Sequence, residues 1–240
     1  MANSFLVLLG CLSSSGQGET FGTGFIVEYK SHWYVVSCKH VYSEVINKNS
    51  IFFISEPKLT KSPRNGYSVI HLSNPYFHPN DDALVTYDIV VFKLGTDEKQ
   101  TLLTIGITPI QLSSDAKNIY EEYLVLYSMG YPVDYIEIQL AKNTEESLPP
   151  KIVEGYLQVV QLKDLAQHGF NGKLLEGYFI KTANGDKLGK GASGGLVYNK
   201  DENDSIKPIG LILAESDKDN ITCVVYAKIE RVIETLNSAI

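Results

Sequence analysis

The sequence predicts an all-β protein with a single α-helix at its C-terminal end. The chain has 240 residues, of which 44% are hydrophobic, and this is enough to bury more than one sizeable core. Helical spacing occurs clearly in one place, where apolar residues recur at i, i+3, i+4 and i+7 in residues 229–236. Short apolar runs bounded by turn residues recur elsewhere and predict strands: they are residues 5–12, 51–54, 123–127, 135–140, 152–160, 206–214 and 221–226.

A β-hairpin is predicted near the N-terminal end. Residues 22–27 and 33–41 are rich in β-branched and aromatic side chains, and a polar turn at 29–32 separates them. We therefore expect His40 to lie at the end of a buried strand, where its side chain is held rigidly.

Charge and cysteine content narrow the class of protein. A net charge of −7 argues against nucleic-acid binding. The three cysteines show neither metal-ligand spacing nor a disulfide pattern, so we expect no metal, no cofactor and a reducing cytoplasm.

The apolar run at 5–12, with Cys11 near its end, could be a lipoprotein leader. No Lys or Arg precedes it, which favours a first strand, and no membrane-spanning segment is predicted.

A nucleophile motif is present at residues 191–195, Gly-Ala-Ser-Gly-Gly. Flanking glycines allow a tight turn that exposes the hydroxyl of Ser193 and directs backbone N–H groups at a bound carbonyl oxygen. A glycine-rich turn without chemistry and the nucleophile elbow of an α/β-hydrolase give the same short pattern.

The order of residues along the chain separates these alternatives. An α/β-hydrolase places its histidine after the serine, whereas every histidine here precedes Ser193. A subtilisin-like order needs an aspartate before the histidine, and the first aspartate is Asp81. Only His168, in a polar loop context, could then serve. The remaining order is His, Asp, Ser. The candidate histidines are His32, His40, His71, His78 and His168.

Local context favours His40 as the base and Asp88 as the acid. His32 lies in the predicted turn. His71 is interpreted as a packed or solvent-facing strand residue, and His78 as a loop residue. Asp88 opens a mostly apolar strand, where a buried carboxylate needs a partner such as an imidazole N–H. An exposed aspartate at the start of a strand is the alternative, and Asp81 and Asp82 are further candidates.

Together these segments resemble the trypsin-like serine peptidases of the chymotrypsin superfamily, and in style the bacterial HtrA-type protease domains. The segments that carry the resemblance are Gly-Thr-Gly-Phe-Ile-Val at 22–27, Ser-Cys-Lys-His-Val at 37–41, Asp-Ile-Val-Val-Phe at 88–92, Ser-Met-Gly-Tyr-Pro at 128–132 and Gly-Lys-Gly-Ala-Ser-Gly-Gly-Leu-Val at 189–197.

The resemblance implies two antiparallel six-stranded β-barrels, at residues 1–100 and 101–240, with the polar stretch 95–103 as linker. The site would lie between the barrels. Ser193 would attack a peptide carbonyl and form an acyl-enzyme, His40 would transfer the proton, and Asp88 would orient the imidazole. The backbone N–H groups of Gly191 and Ser193 would form the oxyanion hole.

One position departs from the digestive enzymes of this superfamily. Those enzymes carry an aspartate just before the nucleophile, and it pairs with a newly formed N-terminal amine. Ala192 stands there in this chain, so we expect no activation by N-terminal cleavage.

The resemblance leaves the specificity pocket open. Lys187, six residues before the serine, would favour an acidic substrate side chain. The strand at 211–216 would line the same pocket with Leu213, Ala214 and Glu215, and Glu215 favours the opposite charge.

Two classes of function remain, an endopeptidase acting on protein or peptide and a protease-fold binding module whose catalysis is latent. An esterase is a third and less favoured class of function. A regulatory partner and an oligomeric state are both left open by the sequence.

Overall fold

The computed structural model describes residues 5–12, 18–47, 51–55, 70–81, 85–104, 106–114, 126–131, 153–159, 174–175, 178–182, 187–201, 205–218 and 221–240. Strands dominate these residues. In the first half they are β1 (Leu6–Leu12), β2 (Gly18–Tyr29), β3 (His32–Cys38), β4 (Ile51–Ser55), β5 (Ile70–His71), β6 (Pro75–Phe77), β7 (Val85–Thr86), β8 (Ile89–Lys93) and β9 (Ile110–Gln111). In the second half they are β10 (Leu126–Gly130), β11 (Val153–Val159), β12 (Leu174–Leu175), β13 (Tyr178–Thr182), β14 (Leu196–Lys200), β15 (Ile206–Lys218) and β16 (Ile221–Lys228). The helices are α1 (Lys39–Asn47), α2 (Thr96–Thr104) and α3 (Ile229–Ser238).

The first half forms an eight-stranded sheet in the order β5-β4-β1-β2-β3-β8-β6, with β9 added alongside β2. The predicted hairpin is confirmed as β2 and β3, with Tyr29 opposite His32. Its two turn residues, Lys30 and Ser31, both have positive φ angles, of 48° and 64°. Such a turn matches the right-handed twist of the two strands.

The second half forms a ring of six antiparallel strands, β10-β11-β13-β16-β15-β14, that closes on itself. Among the described strands, the first sheet shows no comparable closure. The prediction of a mainly antiparallel β protein with a C-terminal helix is therefore confirmed. Two short pairs depart from it because they are parallel, β9 with β2 and β12 with β7.

Helix α3 connects the two halves because it packs on β15 and β16 of the second half and on β6 and β8 of the first. Its predicted apolar face is confirmed: Ile229, Val232, Ile233 and Leu236 are all buried. Burial of four such side chains supplies roughly 6–12 kcal/mol of hydrophobic free energy before the entropy cost of folding. Much of the core of the first half, including Val36 and Val91, lies on β3 and β8 beside this helix.

Two helices were not expected from the sequence. Strand β3 ends at Cys38, not near Val41, and His40 lies in the first turn of α1 rather than at the end of a strand. The predicted linker at 95–103 is mostly helix α2, in which Leu102 is buried. Acidic residues in the first turn favour a helix start through the helix dipole. The predicted boundary at residue 100 lies within this helix.

The remaining strand predictions are confirmed wherever the chain is described. The predicted strand 135–140 lies outside the described residues. None of the helices in the described part of the chain is both long enough and apolar enough to cross a membrane.

The close approach of the two halves at Gly194 yields a stability prediction. Gly194 has φ +87°, and a Cβ there would lie 1.8 Å from the carbonyl oxygen of Thr23 and 2.4 Å from the hydroxyl of Ser37. We expect Gly194→Ala to lower the free energy of unfolding by more than about 4 kcal/mol, because the backbone must move apart. Denaturant titration measures this loss.

Gly106 provides the matched control, since it has the same φ of +87° and a Cβ added there would meet nothing within 4 Å among the described residues. Gly106→Ala should cost only about 1–2 kcal/mol, the penalty of a left-handed backbone alone. Equal losses in the two variants would contradict the close contact at Gly194.

Candidate active site

His40 and Asp88 form a two-point contact across the first sheet. The Nδ1 atom of His40 lies 2.6 Å from Oδ2 of Asp88, and the backbone N–H of His40 donates to Oδ1 at 2.8 Å. One carboxylate oxygen therefore holds the imidazole ring, and the other holds the backbone of the same residue. Among the described residues, Nε2 of His40 has no hydrogen-bond partner, and the side chain is 43% exposed. This nitrogen remains available to exchange a proton with a neighbouring group.

Asp88 has an unusual backbone conformation, with φ of +54°. A left-handed residue with a side chain costs roughly 1–2 kcal/mol, so its surroundings must hold it. The carbonyl of Asp88 accepts the backbone N–H of Lys39 at 3.1 Å. The backbone N–H of Tyr87 donates to Oδ1 of Asp81 at 3.0 Å, and the other oxygen of Asp81 pairs with the Lys39 ammonium. Asp81, a second candidate acid, thus supports the turn at Asp88, and Asp82 lies outside the described residues.

The ion pair changes the protonation of His40. Burial disfavours the charged imidazolium, but the hydrogen bond that His40 donates to Asp88, the charge of Asp88 and the charge of Glu44 together raise the pKa of His40 above 6.5. Because the pKa is raised in the folded state, the pair contributes stability that is fully present below about pH 6.5 and is lost as the pH rises through the raised pKa. Histidine is the side chain that most often acts as a general acid or base, and the contact with Asp88 stabilises the imidazolium that forms when it accepts a proton.

Ser193 lies in a tight turn between Gly189 and Gly195. The N–H of Ala192 donates to the carbonyl of Gly189, and the N–H of Gly195 donates to the carbonyl of Ala192. The hydroxyl of Ser193 donates to the carbonyl of Leu213 at 3.0 Å. Within the described residues, the N–H groups of Gly191 and Ser193 have no acceptor. These are the two donors that the sequence predicts for an oxyanion hole.

One carbonyl connects the serine turn to the histidine segment. The carbonyl oxygen of Ile212 accepts the N–H of Gly194 at 2.8 Å and the thiol of Cys38 at 3.0 Å. Gly194 directly follows Ser193, and Cys38 is two residues before His40. The structure therefore brings the predicted nucleophile and the predicted base to the same part of the molecule.

Thr23 makes four hydrogen bonds at the same place, and its side chain is fully buried. Its N–H donates to the carbonyl of Ser193 at 2.9 Å, and its carbonyl accepts the hydroxyl of Ser37 at 2.8 Å. Its own hydroxyl donates to the carbonyl of Gly191 at 2.9 Å and accepts the N–H of Tyr131 at 2.7 Å. Every polar atom of Thr23 is used, and three of the four partners belong to the second half.

Cys38, His40 and Asp88 are the described residues that could hold a metal, since one ligand atom from each lies within 4.8 Å of the others. Zinc binds cysteine as the thiolate. Burial and the Asp88 charge instead raise the pKa of Cys38 well above 9.0, although an N–H from Gly194 opposes the shift. The thiol and Nδ1 are also engaged in hydrogen bonds. This donor set therefore fits a hydrogen-bonded network better than a metal centre.

The predicted pocket residues have different surroundings. The carboxylate of Glu215 accepts hydrogen bonds from the N–H groups of Leu188 and Gly189, at 2.5 Å and 3.3 Å. It therefore stabilises the loop that leads to Gly191. Lys187 is exposed. Leu213 and Ala214 are buried and half-buried respectively, on β15.

Ala192 is buried in an apolar cluster with Leu188, Val197 and Ile212. A carboxylate at this position would need a charged or hydrogen-bonding partner. The surroundings of Ala192 therefore suit the predicted absence of an activating ion pair.

Three of the other histidines, His32, His71 and His78, lie within the described residues. His32 packs edge-on to Tyr34, and His71 is exposed on β5. His78 lies in a loop directly after β6, as predicted, and its side chain is fully buried and contacts Glu234 on α3. His168 lies outside the described residues.

Comparison with known proteins identifies no family for this chain. Neither protein-family models nor curated proteins match this chain. The trypsin-like interpretation therefore depends on the sequence segments and on the geometry of the described residues.

Sequence reasoning missed the roles of Thr23, Cys38 and Asp81. A polar residue between two glycines, directly before an apolar strand, was the available signal for Thr23. No sequence pattern indicated that Asp81 would support the backbone beside Asp88, because that contact depends on how the chain folds between them.

The hydroxyl of Thr23 gives a second prediction. Thr23→Val keeps the shape of the side chain but leaves the carbonyl of Gly191 and the N–H of Tyr131 without a buried partner. Each of the two groups costs about 1–3 kcal/mol, so we expect the free energy of unfolding to fall by about 2–6 kcal/mol. Thr23→Ser keeps the hydroxyl and should lose only about 1 kcal/mol. Similar stability of the Val and Ser variants in denaturant titrations would contradict the proposed role of the hydroxyl.

Proposed function

We propose that this protein is a serine peptidase that cleaves peptide bonds with Ser193, His40 and Asp88. The observation that carries the proposal is the two-point contact between His40 and a buried Asp88 held at positive φ. Strained backbone of this kind persists only where its surroundings impose it, and it is frequent at active sites.

In the proposed reaction the hydroxyl of Ser193 turns from the Leu213 carbonyl towards Nε2 of His40. Its oxygen attacks the scissile carbonyl, and His40 takes its proton. His40 then gives that proton to the leaving amine as the acyl-enzyme forms, and water repeats the sequence to release the acid. Asp88 stabilises the imidazolium throughout. The N–H groups of Gly191 and Ser193 would bind the developing oxyanion, each being worth about 10²–10³ in rate.

The edge of β15 supports a peptide as the substrate. Residues 206–211 of β15 pair with β14, and Ile212 exchanges backbone hydrogen bonds with Gly194 and Gly195, whereas beyond Ile212 the described strand pairing is with β16 alone. The register of β15 against β16 skips Leu213, whose carbonyl contacts Ser193. An extended chain could add to this open edge as a further strand, which would bring a backbone amide next to the nucleophile.

We also propose the finer architecture and location that the sequence resemblance implies. Six strands of the first sheet would close into a barrel like the ring of the second half, with the site between the two barrels. The hydrogen bonds of Thr23 to Ser193, Gly191 and Tyr131 support such an arrangement. The buried free thiol of Cys38 suits a reducing cytoplasm.

A second function is a binding module that holds an extended peptide at β15 without cutting it. The hydrogen bond from Ser193 to Leu213, rather than to His40, favours this candidate.

A fluorophosphonate probe distinguishes the two functions. We expect the native chain to be labelled on Ser193, as located by mass spectrometry, because His40 activates the hydroxyl. Ser193→Ala should abolish labelling, and Asp88→Asn should slow it by up to roughly 10⁴-fold. Ser205→Ala, at an exposed serine outside the motif, is the matched control and should not change the rate.

A folded native chain that stays unlabelled while it binds extended peptides would favour the binding module. Labelling that persists in Ser193→Ala would contradict the proposed nucleophile.

A further inference from the structure

The C-terminal helix reaches the first half close to Asp88. On α3, Oε2 of Glu234 accepts hydrogen bonds from Nε2 of His78 at 2.9 Å and from Nη1 of Arg231 at 2.8 Å. Partial burial opposes ionisation of Glu234, but these hydrogen bonds and the charge of Arg231 lower its pKa below 4.5. The carboxylate is therefore charged at neutral pH.

Both partners of Glu234 contact the ring of Tyr87, the residue directly before Asp88. The ring of His78 lies over that of Tyr87, with 3.8 Å between centroids and an interplanar angle of 31°. The guanidinium carbon of Arg231 lies 4.9 Å from the centroid of the Tyr87 ring, a distance typical of a cation–π contact. His78, Tyr87, Arg231 and Glu234 are called the α3 cluster below.

The orientation of His78 is fixed at both ring nitrogens. The backbone N–H of Asn80 donates to Nδ1 at 3.2 Å, so Nδ1 is the acceptor and Nε2 carries the proton that bonds Glu234. The His78 side chain is fully buried. A buried ring with both nitrogens satisfied has a single favourable position, and it therefore presents a rigid surface to Tyr87.

The backbone around Tyr87 is held on its other sides as well. β7, which ends at Thr86, pairs with β12 of the second half, and Asp81 accepts the N–H of Tyr87. The α3 cluster packs against the ring of Tyr87, so this segment is held through its backbone and through that side chain.

We propose that Glu234 and His78 are positioning residues, which hold Tyr87 so that Asp88 keeps the left-handed conformation that directs its carboxylate at His40. The inference rests on the proposed function only where it predicts a reaction rate; its effect on His40 itself does not require that the protein be an enzyme. Through this contact the last helix of the chain sets the geometry of a pair in the first half.

The test uses the full chain with Glu234→Ala and Glu234→Gln. Both substitutions remove the same charge, but glutamine keeps an oxygen that accepts the Nε2–H of His78. NMR titration of the His40 ring reports whether Asp88 still pairs with it, because that pair raises the pKa of His40 above 6.5. Labelling of Ser193 by the fluorophosphonate probe reports the rate.

We expect Glu234→Ala to lower the pKa of His40 towards 6.5. Labelling should slow by about 10-fold or more, and by no more than the ~10²-fold that displacing a catalytic group by about 1 Å can cost. Glu234→Gln should recover most of both values. The matched control is Asn237→Ala, which removes contacts of the same helix with Tyr29 and Lys30 away from Asp88, and it should leave both values unchanged.

The proposal is overturned if folded Glu234→Ala leaves His40 unchanged, if Glu234→Gln is as impaired as Glu234→Ala, or if Asn237→Ala has an equal effect. Where Glu234→Ala does not fold, Arg231→Gln takes its place, since it removes the guanidinium from Tyr87 at a side chain that is 34% exposed. An unchanged His40 titration in that variant also overturns the proposal. A native chain that is never labelled, but whose His40 responds as expected, would refute the peptidase and leave the positioning role standing.

Discussion

The hydrogen bonds of Thr23 are the constraint on which the candidate site depends. A fully buried residue of the first half uses its N–H and its hydroxyl to hold the carbonyls of Ser193 and Gly191 in the second half. Buried polar groups are costly when unpaired, so the two halves have one low-energy alignment here. That alignment brings the serine turn next to the segment that carries His40. Without it, Ser193 and His40 would belong to separately folded sheets.

The pair of His40 and Asp88 is held by contacts from several segments of the chain. Lys39 and Asp81 hold the backbone on either side of Asp88, and the ring of Tyr87 meets α3. Such redundancy offsets the cost of a non-glycine residue at positive φ. The same contacts explain why Asp81, a plausible acid in sequence, has a supporting position instead. They also make the last helix a part of the site, although it lies more than a hundred residues beyond Asp88 in sequence.

The sequence predicted those features that depend on local pattern. The β2–β3 hairpin, the strands of the second half and the apolar face of α3 follow from spacing that a single segment carries. The pairing of His40 with Asp88 was predicted from chain order and context. The sequence did not predict helix α2, because its stretch is polar and only Leu102 is buried. Nor did it predict the contacts of Thr23, Glu215 and His78, which arise between segments distant in sequence. The charge of Glu215 indicated which substrate side chain the predicted pocket would favour. The position of the Glu215 carboxylate, however, depends on where the loop at Leu188 and Gly189 lies.

The pH dependence of Ser193 labelling tests the central claim most directly. If neutral His40 is the base for Ser193, the labelling rate of the native chain rises with pH, and its midpoint lies above 6.5 because Asp88 raises the pKa of His40. NMR titration of the His40 ring in the same protein should give the same midpoint. A labelling rate that does not follow the protonation of His40, or a label on any residue other than Ser193, would contradict the account.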